Sequence, residues 1–169
     1  MALRFILLMK ARKTNRKESK TTFHVANIEE LSEEDRMLVE KAISQTEISY
    51  APYSHFHVGA AVRLDNGVVL GGCNQENAAF GVSMCAERSA LFAAGANYPD
   101  VAVNSVAIAA RDASGLLAEP VSPCGVCRQA MVETESRYGK PLHILLYGTR
   151  HTFVINGISS LMPLAFSTF

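Results

Sequence analysis

Apolar positions along this chain alternate between a helical rhythm and a strand rhythm, and the changes of rhythm mark out the elements. Leu38, Ala42 and Ile43 recur at helical spacing behind Ser32, which is followed by Glu33, Glu34 and Asp35. A serine hydroxyl can cap free helix N–H groups and acids suit the positive end, so this pattern predicts a helix to about Ser49, broken by Pro52. His57–Leu64 and residues 68–73 read as two strands around Asp65-Asn66-Gly67, a strong hairpin signal. Residues 84–96 carry Met84, Ala86, Ala90, Leu91, Phe92 and Ala94 with few β-branched side chains, which predicts a buried helix from near Cys85 to Gly95. Residues 103–110 are nearly continuously apolar, as expected of a central strand covered on both faces. Pro123 sits where a first-turn proline would, ahead of a helix over residues 124–138; Gly139-Lys140-Pro141 stops it, and residues 142–147 form another strand. The order helix, strand, strand, helix, strand, helix, strand predicts an α/β fold, a three-layer α/β/α sandwich with a mixed central sheet.

Size and charge narrow the function classes. The 169 residues suit one domain able to bury a core without disulfides or a structural metal. We expect a single domain over residues 25–169, preceded by a basic, flexible extension over 1–24. Seven of the sixteen basic residues fall in the first twenty positions, and a transit peptide is the alternative reading of that stretch. Net charge is zero, so no global cationic field draws a polyanion, which counts against a nucleic-acid partner. No apolar run approaches the roughly 18 residues that a membrane span needs, and the expected location is cytoplasmic. In that setting the four cysteines are expected to be reduced thiols.

Those cysteines carry the chemistry. Cys124 and Cys127 stand three residues apart at a helix start, where two thiolates can share one soft metal; a redox pair is the competing reading of that motif alone. Cys85 adds a third ligand at another helix start, with Glu87 two residues on and the small Ala86 between. Three protein ligands leave a position open for water, as a catalytic zinc requires, whereas Cys73 as a fourth ligand would close a structural site. Glu87 is a poor ligand for a centre of net charge about −1, but a suitable base beside activated water. Arg88 follows, and its guanidinium would balance the thiolate charge.

Cys85-Ala86-Glu87 with Pro123-Cys124-Gly125-Val126-Cys127 is the three-cysteine form of a zinc-deaminase signature. With Ala51-Pro-Tyr-Ser-His-Phe-His-Val-Gly-Ala-Ala61 and Gly72-Cys-Asn-Gln-Glu-Asn-Ala-Ala-Phe80, the chain resembles the homotetrameric cytidine deaminases from about Ser49 to Phe166. The resemblance implies one zinc per subunit and hydrolysis of cytidine and deoxycytidine to uridine and deoxyuridine with release of ammonia, in pyrimidine salvage. It implies that Asn74 and Glu76 bind the ribose 3′-hydroxyl, that Phe56 stacks on the base, that Ala86 belongs to the substrate site, and that Phe166 of one subunit covers the base in the next. Two positions depart from the family pattern: Phe80, where many relatives have Tyr, and Leu164, near which they commonly carry Gly. A deaminase of another aminopyrimidine such as blasticidin S is the nearest alternative, deoxycytidylate and polynucleotide deaminases are more distant, and a non-catalytic zinc domain is the different-class alternative. The five histidines match no ligand spacing.

Overall fold

The computed structural model describes residues 18–167. Its elements in chain order are β1 (His24–Ala26), α1 (Glu33–Thr46), β2 (His57–Leu64), β3 (Val69–Cys73), α2 (Ala86–Asn97), β4 (Val103–Asp112), β5 (Gly115–Leu116), α3 (Gly125–Tyr138), β6 (His143–Tyr147) and β7 (Thr152–Asn156), with three single 3₁₀ turns. The strands form one sheet in the order β1-β7-β6-β4-β2-β3, with β5 pairing β4. Among the described strands only the β4–β6 pairing is parallel, and α3 forms the crossover between them, so the sheet is mixed as the pattern implied.

Strand alternation explains the three layers. Ala60, Val62 and Leu64 of β2, Val106 and Ile108 of β4, and Ile144 and Leu146 of β6 pack in one core with Ala86, Ala90, Leu91 and Ala94 of α2 and Met131 and Val132 of α3. Their neighbours Ala61, Ala107, Ala109 and Leu145 face the other way, against Leu38, Val39 and Ala42 of α1. A strand apolar at every position is thus covered twice, once from each side. Ser32 caps α1 by accepting from the Asp35 N–H at 3.1 Å, worth about 1 kcal/mol.

Several boundaries shift. The helix expected to reach Ser49 ends at Thr46; α2 begins one residue after Cys85 and passes Gly95 to end at Asn97, just ahead of Pro99. Pro123 precedes the cap Cys124, outside the first turn. Three strands, β1, β5 and β7, were not indicated by the pattern. β1 pairs with β7, and next to it Phe23 packs on Phe153 with ring centroids 4.8 Å apart while Thr21 Oγ1 donates to the Ser160 carbonyl. The region read as a flexible extension therefore meets the sheet at its C-terminal end, while residues 1–17 lie outside the described residues. Among the described residues no helix is long and apolar enough to cross a membrane.

The topology brings two helix starts together. β3 and β4 both run antiparallel to β2, so they point the same way, and the segments leaving their C-terminal ends deliver the starts of α2 and α3 to one edge of the molecule. Gly72 on β3 sets how closely α2 lies: a Cβ there would stand 2.5 Å from the Ala90 nitrogen and 2.6 Å from the Ala86 carbonyl oxygen. Neither backbone atom can yield without moving the helix. Gly72→Ala is therefore expected to lower stability in denaturant titration by about 1–3 kcal/mol and to displace the turn that carries Cys85 and Glu87.

Candidate active site

Cys85 occupies the cap position of α2 and Cys124 that of α3, both with extended backbone, while Cys127 lies fully buried in the first turn of α3. The sulfurs of Cys85 and Cys124 are 3.9 Å apart and those of Cys124 and Cys127 3.5 Å apart; all three lie within 4.8 Å of one another. A tetrahedral centre with Zn–S bonds of about 2.3 Å needs ligand sulfurs roughly 3.8 Å apart, so the trio fits one zinc. Both helices direct positive dipole ends at the cluster, which favours thiolates. No second group of three or more potential ligands occurs among the described residues. Cys73 is directed elsewhere, with its sulfur accepting from Gln75 Nε2 at 3.2 Å and close to the Ile48 carbonyl, so the closed four-thiolate alternative finds no support in this geometry. All four cysteines are unpaired.

The electrostatics follow from this packing. The neighbouring Cys127 thiol, helped by Arg88, outweighs burial and lowers Cys85 to about 5. The proximity of Cys85, followed by burial, pushes Cys127 up. Arg88 Nη2 donates to the Cys85 sulfur at 3.8 Å. Ser89 Oγ contacts the carbonyl oxygens of Cys73 and Cys85 at 3.2 Å, pinning the start of α2 to β3. Glu87 is 4% exposed, and burial, followed by the Cys85 charge, raises its carboxyl above the usual range.

Glu87, Cys85 and Cys124 line a cavity of about 380 Å³, whose walls also include Phe56, Asn74, Glu76 and Ala86. Ser54, Ser83, Met84, Ile108, Val121 and Ser122 are among the other lining residues; sequence reading had not singled these out. Only Ser54, inside the loop that carries Phe56, had a sequence signal. The Glu76 carboxylate accepts from the Tyr53 and Ser54 N–H groups at 2.9 and 3.2 Å and from the Ser54 hydroxyl. The hydroxyl first, then the Tyr53 N–H, hold it below the usual carboxylate range. Asn74 already has backbone partners: Oδ1 accepts from the Val58 N–H at 2.8 Å and Nδ2 donates to the Phe56 carbonyl at 2.9 Å. It holds the backbone on the C-terminal side of Phe56, bracketing His57, and retains one donor and one acceptor site for another partner.

Phe166 does not line this cavity. It lies 63% exposed along a separate groove of about 590 Å³ between α2 and α3, with Phe92 and Val126. Leu164 adopts a φ of +58°, a left-handed conformation that a glycine would adopt without strain. Phe80 is 77% exposed and stands edge-on to Tyr53. Three histidines pair elsewhere: His57 with Ser49, His143 with Asp35 and His151 with Glu119.

Residues 32–138 match the family described as the cytidine and deoxycytidylate deaminase zinc-binding region. The cytidine deaminase of Halalkalibacterium halodurans is 46% identical over 101 residues, 58% of this chain and 70% of that protein. The crystal structure of cytidine deaminase from Burkholderia pseudomallei superposes with a TM-score of 0.67 at 35% identity, covering 80% of this chain and all of that one. The cytidine deaminase structure from Mycobacterium tuberculosis gives a TM-score of 0.58 at 30% identity, over 78% and 96% of the two chains. Sequence, fold and the three-thiol cluster agree: the chain belongs to the cytidine deaminase family.

Proposed function

We propose that this protein hydrolyses the C4 amine of cytidine and deoxycytidine, giving uridine or deoxyuridine and ammonia, and so serves pyrimidine salvage in the cytoplasm. The observation that carries this reading is the buried Glu87 carboxyl beside three thiols spaced for one metal, in the wall of a nucleoside-sized cavity. A zinc ion held by Cys85, Cys124 and Cys127 would supply Lewis acidity and lower the pKa of the attacking water. Glu87 takes the first proton from that water as its oxygen attacks C4, and delivers it to N3. It then carries the second proton to the exocyclic amine, which leaves as ammonia. Arg88 balances the charge that three thiolates bring. Phe56 stacks on the base, Ala86 forms a small wall beside it, and Asn74 and Glu76 bind the ribose 3′-hydroxyl.

The same reading makes the working unit a homotetramer in which Phe166 from one subunit covers the base in its neighbour. What supports this is the exposure of Phe92, Val126 and Phe166 along one groove, an apolar surface that a second copy could cover.

Glu76→Gln tests the sugar contact. Removing the charge from that bond is expected to raise KM for cytidine about tenfold with a smaller change in kcat. An unchanged KM would place the ribose elsewhere. Because the folded pKa of Glu76 is lowered, its carboxylate bonds persist through the ordinary carboxylate range and are lost only as pH falls through that lower value.

An ultraviolet assay with cytidine, deoxycytidine, deoxycytidylate and blasticidin S offered separately tests the substrate class. Turnover of the two nucleosides is expected to exceed that of the others. Preference for deoxycytidylate or blasticidin S would overturn the assignment.

A further inference from the structure

We propose that Arg128 is a positioning residue that fixes the backbone presenting Cys124 and ties it to the C-terminal segment 161–166, so that metal retention depends on a side chain that is not a ligand. This rests on the reading of Cys85, Cys124 and Cys127 as the zinc centre.

Arg128 directly follows Cys127 on α3. Its backbone N–H donates to the Cys124 carbonyl at 2.9 Å, and its side-chain Nε donates to the Pro123 carbonyl at 2.8 Å. Those two carbonyls stand on either side of Cys124, one preceding it and one its own. Cys124 has extended backbone at the cap, so regular helix bonding stops short of the Pro123 carbonyl, and the Arg128 side chain takes over there. From the other side of the same guanidinium, Nη1 donates to the Leu161 carbonyl at 2.7 Å. Among the described residues no carboxylate pairs with Arg128. A planar fork spanning two backbone carbonyls holds geometry that a lysine ammonium cannot hold at both points.

The next residue takes a different share of the segment. Gln129 Nε2 donates to the Phe166 carbonyl at 2.7 Å. Between these anchors Leu164 lies in the left-handed region, unfavourable for a branched side chain, so the segment crosses α3 in a turn that its two ends restrain. Leu161, Met162 and Ala165 pack against the main core. Arg128 thus links segment and ligand backbone, whereas Gln129 touches only the segment. The consequence is an asymmetry: loosening Arg128 reaches the metal, and loosening Gln129 does not.

The test uses the full-length zinc-loaded protein and variants Arg128→Met, Arg128→Lys and Gln129→Ala, each checked for native circular dichroism. Zinc transfer to excess colorimetric chelator is timed, and the cobalt-substituted forms are compared by absorption. Arg128→Met is expected to release zinc about ten times faster or more, the scale seen when partners of metal ligands are removed, and Arg128→Lys at an intermediate rate. Gln129→Ala should release zinc at the wild-type rate with an unaltered cobalt spectrum, while the Arg128→Met spectrum shifts. A folded Arg128→Met that releases zinc at the wild-type rate overturns the proposal, as does Gln129→Ala accelerating release equally. If Arg128→Met does not fold, a wild-type rate in Arg128→Lys overturns it. Wild-type cytidine turnover is measured on the same preparation; zinc-loaded protein without turnover would overturn the proposed function and leave the release comparison standing.

Discussion

Glu87→Gln is expected to leave zinc content and melting temperature near wild type while lowering kcat for cytidine by about 10²–10⁴-fold, equivalent to roughly 3–5.5 kcal/mol of transition-state stabilisation. The substitution keeps the size and planarity of a side chain that is 4% exposed, so the surrounding packing of α2 against β3 is retained. Zinc should be retained because the three sulfurs already satisfy the spacing of one metal without the carboxylate. What disappears is the ability to accept a proton and return it twice, at N3 and at the amine. An amide can do neither. Metal analysis and steady-state kinetics on one preparation decide the matter: near-normal turnover would remove Glu87 from the chemistry, and lost zinc would make it a ligand.

Cys127→Ser is expected to weaken zinc binding by at least about a hundredfold and to abolish measurable deamination, since even partners of ligands are worth ten- to a hundredfold. Cys127 is fully buried in the first turn of α3, 3.5 Å from the Cys124 sulfur. A serine there is a shorter, harder ligand that would have to ionise in a buried site to replace a thiolate. The control is Cys73→Ser, at a thiol whose contacts are Gln75 and the Ile48 carbonyl and which should keep stoichiometric zinc. Equal zinc loss in both variants would restore the four-thiolate alternative. Thermal denaturation with and without added zinc gives a second readout: the zinc-dependent gain should vanish in Cys127→Ser and persist in Cys73→Ser.

These expectations rest on features of unequal legibility. The cysteines and Glu87 could be read from sequence because a borderline metal constrains ligand type and helix starts constrain spacing. The hairpin at Asp65-Asn66-Gly67 was equally readable, and the structure places Gly67 at a φ of +84°. β1 was not, because three residues with mostly exposed side chains carry no periodic signal and form a strand only by pairing with β7. β7 holds Phe153, Val154 and Ile155, but a five-residue element is fixed by its neighbours in the sheet more than by its own pattern. Asn74 shows the same limit within the site. Its residue type suggested a sugar contact, while its bonds to the backbone at Phe56 and Val58 arise only because β3 folds back beside β2. The role proposed for Arg128 depends on a carbonyl 33 residues away, which no local motif encodes.

The reaction assigned to this chain is the conversion of a cytosine nucleoside and water into a uracil nucleoside and ammonia at a single-zinc site. Its most direct test follows uridine and ammonia together while purified, zinc-loaded protein acts on cytidine, before and after the metal is removed and restored. The expected result is equimolar release of the two products, lost on zinc removal and recovered fully at one zinc per chain. Zinc-loaded protein that yields neither product, or turnover indifferent to zinc, would contradict it.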